Sequence, residues 1–271
     1  MNNLKPKSIS IFSVKVDEIS MNETLEKISE WVKGDKKRYI VTTNIEFIMA
    51  AQKDRNFRNI LNNSDLSIPD SSRIGWAKKV LEEKNLFKKL FFWLFFFYPK
   101  LVISDNFPLV TGTDLMLAIA EKSNVWPLGI GLIGGRKTVA KRASECLQQR
   151  YQNISINYSL DGGKVDKNGQ MEKDYLEDLK TQKVDILFVG LGHIKQEKWI
   201  IKNIDKVPAK VFIGVGGAFD YISENIPRAP KLIRELNFEW LFRLIIQPWR
   251  IKRFISLLEF MFLLLQKPNI D

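Results

Sequence analysis

Residues 184–217, VDILFVGLGHIKQEKWIIKNIDKVPAKVFIGVGG, decide the fold. Val184 to Val189 is a short apolar run that ends on Gly190-Leu191-Gly192. Gln196 to Asn203 follows at helical spacing, and Val211 to Val215 (VFIGV) is a second apolar run, with glycine at Gly214, Gly216 and Gly217. Strand, glycine turn, helix and strand make the repeating unit of a parallel sheet, whose strands are covered on both faces and so lack polar alternation. The unit recurs upstream. Tyr39 to Thr43 (YIVTT) precedes Glu46 to Leu61, where Phe47, Ile48, Ala51, Phe57, Ile60 and Leu61 recur at helical spacing. Leu128 to Ile133 (LGIGLI) precedes Gly134-Gly135 and a helical stretch from Lys137 to Tyr151; Ile154 to Tyr158 then reads as a strand and Met171 to Thr181 as a helix. The expected class is α/β: a Rossmann-like, mostly parallel sheet with helices on both faces.

In such sheets ligands bind beyond the carboxyl ends of the strands, where glycine-rich turns bring backbone N–H groups and helix amino termini to an anion. Three turns qualify: Gly134-Gly135, Gly190-Leu191-Gly192 and Gly214 to Gly217. A glycine there also serves simply to permit positive φ, but three turns at one sheet edge point to a phosphate-bearing ligand. No GxxxxGK[ST] occurs, which argues against a P-loop nucleotidase. Gly129 to Gly134 does satisfy GxGxxG, and an NAD(P)-dependent oxidoreductase is therefore the alternative. Its context is poor, because the first two glycines fall within the strand and no acidic residue stands about twenty positions on.

The 271 residues are 45% hydrophobic, which excludes intrinsic disorder and allows one large domain or one with an appendage. The single cysteine, Cys146, permits no intrachain disulfide, and Met1 to Ser20 has no apolar stretch long enough for a signal core, so a reduced cytoplasmic setting is expected. Forty-two Lys plus Arg against thirty-one Asp plus Glu give a net charge of +11 and call for a polyanionic partner. No recognised nucleic-acid motif accompanies the charge, which leaves anionic lipid and phosphorylated substrate.

Past Pro227 the texture changes: eight basic residues face four acidic ones, interleaved with Phe238, Trp240, Phe242, Trp249 and Phe254. A basic, aromatic-rich amphipathic segment suits an anionic bilayer surface, where apolar burial and roughly 1 kcal/mol per nearby Lys or Arg add together. A packed terminal helix pair with a solvated basic face has the same composition. Residues 78–104 repeat the recipe, with Lys78, Lys79, Lys84, Lys88, Lys89 and Lys100 around LFFWLFFFY at Leu90 to Tyr98. That run and ISLLEFMFLLL at Ile255 to Leu265 both fall well short of the ~20 residues of a membrane span. The expected organisation is a core over residues 1–226, with a membrane-facing insertion near 78–104, and a basic helical appendage over 227–271.

Few residues offer chemistry. His193, the only histidine, follows Gly192 at the ligand edge, but neither Cys146 nor a GxSxG elbow supports a nucleophilic dyad with it. One Cys and one His make zinc improbable, and no Asp-x-Asp is present to hold a divalent ion. Asp70, in Ser67-Ile68-Pro69-Asp70-Ser71-Ser72, could take a proton from a sugar hydroxyl if it lies near the glycine turns; it could equally be a turn-forming residue.

Four stretches together resemble one family, the WecG/TagA/CpsF glycosyltransferases (glycosyltransferase family 26). They are Thr42-Thr43-Asn44 with the helix to Ala51; Ser64-Asp65-Leu66 through Pro69-Asp70; Gly190-Leu191-Gly192 with Lys195 to Trp199; and the run from Gly214 to Phe254. Within the last, Gly216-Gly217, Phe219-Asp220, Arg228-Ala229-Pro230, Glu239-Trp240, Arg243, Pro248-Trp249-Arg250 and Arg253 match closely. The resemblance spans about residues 10–255 in order.

It implies an inverting, metal-independent hexosyltransferase with no cofactor, working in bacterial cell-wall or surface polysaccharide synthesis. The enzyme would move a sugar from a UDP-sugar to an undecaprenyl-diphosphate-linked acceptor while attached peripherally to the inner face of the cell membrane. By the same resemblance Asp70 is the base, and Thr43, Asn44 and Gln196 bind substrate. The glycine turns at Gly134, Gly192, Gly216 and Gly217 join them with Asp220, and Arg228, Arg243, Arg250 and Arg253 lend positive charge from the appendage. N-acetylmannosamine, its uronic acid and glucose are all donors the family allows, and self-association is left open. The chain departs from the family pattern at Ser71, His193 and Leu109, which bears on donor identity.

Overall fold

In this computed structural model of the protein, residues 6–103, 107–172, 176–235, 238–248 and 251–266 are described. A hairpin of β1 (Lys7–Ile11) and β2 (Val14–Glu18) comes first, its two-residue turn made by Phe12 and Ser13, both at positive φ. Such a turn matches the twist of the flanking strands. Six strands follow in a separate sheet: β3 (Arg38–Thr43), β4 (Leu66–Pro69), β5 (Gly129–Gly134), β6 (Ser155–Leu160), β7 (Ile186–Gly190) and β8 (Val211–Gly214). They lie in the order β4-β3-β8-β7-β5-β6, and every neighbouring pair is parallel. Every residue of β5, β7 and β8 is buried, which is why these segments read as uninterrupted apolar runs.

Helix α1 (Met21–Trp31) precedes β3, and α2 (Ile45–Lys53) with α3 (Arg55–Asn62) links β3 to β4. Between β4 and β5 run α4 (Ser72–Glu82), α5 (Leu86–Leu94) and α6 (Gly112–Glu121). The later crossovers are α7 (Val139–Arg150), α8 (Leu176–Lys180) and α9 (Lys195–Asn203); α10 (Ala218–Ile222), α11 (Lys231–Glu235), α12 (Glu239–Ile246) and α13 (Ile251–Gln266) follow β8. The single helix expected over 46–61 is two, because Asp54 adopts extended backbone and its carboxylate accepts the Phe57 N–H at 2.9 Å to cap α3.

Each face of the sheet has its own core. One gathers α2, α3, α4 and α9 around Phe57, Trp76 and Phe212; the other gathers α1, α6, α7 and α10 around Phe188 and Phe219. The appended residues are not all held apart from this body. Phe260 and Leu264 of α13 are fully buried in the first core, Phe260 meeting Phe12 edge to face at 5.5 Å. Chain leaving β3 therefore turns to one face while chain leaving its neighbour β8 turns to the other. A crevice opens at that divergence. Among the described residues no helix is long and apolar enough to cross a membrane.

The GxGxxG pattern resolves as packing. Gly129, Gly131 and Gly134 all lie inside buried β5; a Cβ on Gly129 would sit 2.0 Å from Lys183 O, and one on Gly131 2.8 Å from Leu187. Nothing at this strand supports the dinucleotide alternative.

Candidate active site

A cleft of about 1230 Å³ occupies the crevice at the carboxyl ends of the strands. Asp70 lines it together with Gly135, Gly192 and Gly216, so the carboxylate and all three glycine turns share one cavity. Asp70 is fixed from both sides by backbone: its N–H donates to Thr43 O at 2.9 Å, and its Oδ1 accepts the N–H of Gly112 at 3.0 Å. Gly112 opens α6, whose amino-terminal dipole favours a negative charge at that spot. Polar N-caps bring three helices to the cleft wall: Asn44 on α2, Ser71 on α4 and Thr111 on α6, each side chain accepting a backbone N–H of its own first turn.

The glycine turns present open backbone. Gly192 at φ 94° and Gly216 at φ 56° both occupy the left-handed region, and a Cβ on either would meet no atom within 4 Å. Glycine is required here by backbone conformation, with space left for a ligand to approach. Gly217 and Asp220 also line the cleft, the Asp220 carboxylate accepting Asn225 Nδ2 at 3.1 Å. The backbone at Ile194 is strained, a β-branched residue at φ 68° immediately before α9.

Gln196 is buried, its Oε1 accepting the Gly216 N–H at 3.0 Å and its Nε2 donating to Glu197 Oε1 at 2.5 Å. Glu197 is wholly buried, and desolvation pushes its carboxyl up to about 8 despite the Gln196 hydrogen bond, so it carries its proton at neutral pH. Gly214 makes room for the pair: a Cβ there would lie 2.8 Å from both Gln196 Nε2 and Glu197 Oε1.

Positive charge enters from several elements. Arg228 lines the cleft and binds Asp114 Oδ1 at 2.7 Å, while Thr111 Oγ1 donates to the other oxygen of Asp114 at 2.7 Å. Arg73, on the first turn of α4, is buried against the cleft with its guanidinium 5.0 Å from the Phe96 ring; burial lowers its pKa to about 10, which leaves it a cation. Arg136, Lys164 and Lys195 add charge along the wall. His193 packs on Phe47 with ring centroids 4.6 Å apart, and its Nε2 lies 3.8 Å from Glu46 Oε2. Among the described residues no cluster of three His, Cys, Asp or Glu side chains is placed to hold a metal ion.

Of the residues singled out in the sequence, Asp70, Asn44, Gly192, Gln196, Gly216, Gly217, Asp220 and Arg228 line this one cavity. Thr43 and Gly134 do not. Neighbours in a strand face opposite sides, and it is Thr42 that lines the cleft, its Oγ1 donating to Gly214 O at 2.9 Å, while Thr43 Oγ1 lies 2.7 Å from Ser67 Oγ in the interior. Gly134 ends β5 with a Cβ position only 2.4 Å from Gly190, so it serves close strand packing and Gly135 faces the cleft. Arg250 lies outside the described residues. Arg243 and Arg253 fall on α12 and α13, and their side chains likewise lie outside what is described. Composition gave no signal for Arg73, Thr42 or the apolar wall of Leu244, Ile246 and Leu257, because only the tertiary fold brings α4, β3 and the C-terminal helices together. Ser71, His193 and Leu109, the three departures, all line the cleft.

The sequence profile of the glycosyl transferase WecG/TagA/CpsF family matches residues 9–90 and 100–270. The chain is 29% identical over 218 residues to a protein of Bacillus subtilis (strain 168), covering 80% of this chain and 75% of the relative. It is 27% identical over 256 residues to one of Staphylococcus aureus (strain MRSA252), covering 94% and 91%. Both relatives carry the name N-acetylglucosaminyldiphosphoundecaprenol N-acetyl-beta-D-mannosaminyltransferase.

Proposed function

The chain belongs to the WecG/TagA/CpsF family of glycosyl transferases, and from that premise we propose that it transfers an N-acetylmannosamine-type sugar from a UDP-sugar to an N-acetylglucosaminyl diphosphate carried on undecaprenol. The donor sugar and the acceptor are taken from what the two relatives are named for. The observation that carries the reading is a carboxylate, Asp70, in one cleft with glycine turns whose backbone suits a diphosphate.

The chemistry is a single displacement. The acceptor hydroxyl gives its proton to the Asp70 carboxylate as its oxygen forms a bond to C1 of the donor sugar. The bond from C1 to the diphosphate oxygen breaks on the opposite face, its electron pair leaving with UDP, and the anomeric centre inverts. A fixed carboxylate needs little reorganisation as it takes the proton, and the Gly112 N–H is what fixes it. The leaving diphosphate gains negative charge, and the backbone at Gly192 and Gly217 with Arg73 and Arg228 supplies preorganised positive potential without a metal ion, the Gly216 N–H being held by Gln196. The protein works at the inner face of the cell membrane as a peripheral enzyme, since its acceptor is borne by lipid.

Incubation with UDP-N-acetylmannosamine and a lipid-linked N-acetylglucosaminyl diphosphate should yield a disaccharide-lipid with inverted anomeric configuration. No product from this donor, with turnover of UDP-glucose or the uronic acid, would reassign the donor. No product from any UDP-sugar would overturn the transferase reading.

A further inference from the structure

We infer that α5 and the turns after it, Leu86 to Leu101, form a rigid docking face that enters an anionic bilayer beside the cleft, distinct from the C-terminal helices. The amphipathicity of α5 is inverted. Phe87, Leu90, Phe91 and Leu94, spaced as one helical stripe, are exposed by 86, 46, 54 and 62%, whereas Lys89 is buried. Tyr98 and Leu101 extend the exposed apolar surface. A helix on a water-facing surface turns such a stripe inward, and a contiguous exposed apolar face marks an interaction site.

The exposure is held in place by packing beneath it. Trp76 Nε1 donates to Phe92 O at 2.7 Å, Trp93 Nε1 donates to Met261 O at 2.6 Å, and Phe96 is fully buried, its ring edge on to Trp76 at 5.0 Å. The segment thus binds α4 to α13 on its inner side while presenting phenylalanine and leucine outward. The family profile matches up to residue 90 and again from residue 100, so Phe91 and Leu94 of the stripe, with the turns to Pro99, lie outside the matched residues.

Charge selects the occupant. From Lys84 to Ile103 there is no acidic residue, and exposed Lys84 and Lys88 flank the stripe on a protein of net charge +11. An apolar face rimmed by cations matches an anionic headgroup layer over hydrocarbon, while a second copy docked face to face would bring like charges together. The cleft is adjacent: Arg73 lines it and rests on Phe96, and α13, which exposes Ile255 and Phe262, contributes Leu257 to its wall. Docking here would hold the cleft against the surface that carries a polyprenyl acceptor. That consequence rests on the proposed transferase reading; the docking itself does not.

The test compares the full chain with its Phe87→Ser/Phe91→Ser/Leu94→Ser variant by co-sedimentation with vesicles of phosphatidylcholine alone and with about 30% phosphatidylglycerol. Retained melting temperature verifies the fold. Wild type should bind the anionic vesicles, and the variant should lose affinity by at least about tenfold, since three large apolar side chains no longer enter the bilayer. Turnover of a water-soluble, short-chain acceptor should be the same in both proteins, while turnover of vesicle-borne acceptor falls in the variant. Equal vesicle binding by the two proteins overturns the inference, as does a wild-type dimer in sedimentation equilibrium that the variant loses while vesicle binding is unchanged. If no acceptor is turned over, the transferase reading fails and the vesicle comparison still decides the docking face.

Discussion

The N–H of Gly216 donates to Gln196 Oε1 at 3.0 Å, so a side chain from the helix after β7 sets the glycine turn after β8. Two of the three turns at the sheet edge are thereby one unit. Gln196→Ala removes the acceptor from the part-buried Gly216 N–H and the donor from the buried Glu197 carboxyl, a loss of about 1–3 kcal/mol in stability. Chemical denaturation should show it, and the KM for the nucleotide donor should rise at temperatures where the variant is folded.

Asp70→Asn keeps an oxygen for the Gly112 N–H and removes the basic carboxylate. Transfer should fall by roughly 100- to 10,000-fold in kcat with the donor KM little changed. Isothermal titration with UDP separates the two effects; wild-type kcat in this variant would eliminate Asp70 as the base.

Glu197 gives a pH signature. Its carboxyl holds a proton up to about 8 in the fold, against an ordinary value of 4.5. The folded state therefore binds the extra proton between those values, and stability from this group is fully present below the lower one and is lost as pH climbs through the upper. Thermal melts of Glu197→Gln should show a flatter decline in Tm from about pH 5 to about pH 8 than wild type shows. An identical decline in both would mean that Glu197 is ionised in the fold.

Gly216→Ala meets no atom within 4 Å but must hold φ at 56°. The cost should be about 1–2 kcal/mol of stability, from strain alone. Donor affinity should weaken too, because relaxing the strain moves the turn; a crystal structure of the variant would show the displaced N–H.

The Arg228–Asp114 pair is partly open to solvent, with side chains 24 and 42% exposed. A double-mutant cycle with Arg228→Met and Asp114→Asn should find a coupling under about 1 kcal/mol in stability. The effect on donor KM should be larger for Arg228→Met than for Asp114→Asn, since only the first removes positive charge from the cleft.

How far the sequence can be read depends on the distance over which each signal acts. Apolar runs closed by glycine mark β5, β7 and β8, because a strand buried on both faces needs an apolar residue at every position and the turn after it needs unusual backbone. Asp70 stood out only through a resemblance spread along the chain; by itself it was indistinguishable from a turn residue. The short strands β1, β2 and β4 and the break at Asp54 carry no such local mark. Thr42 and Thr43 show the limit most sharply. One residue of register decides which hydroxyl meets the cleft and which meets Ser67, and register is set by pairing with β4 and β8.

Local periodicity and turn chemistry act between residues near one another in the chain, and they alone determined the α/β class, the parallel sheet and the sheet edge that would hold a ligand. Convergence of distant segments belongs to the tertiary structure: it seated Asp70 on the amino terminus of α6, buried Arg73 beneath Phe96, protonated Glu197 and turned the stripe of α5 outward. Burial and hydrogen bonding between residues far apart in sequence are fixed only when the two cores close, because desolvation and fixed geometry do not exist in the open chain.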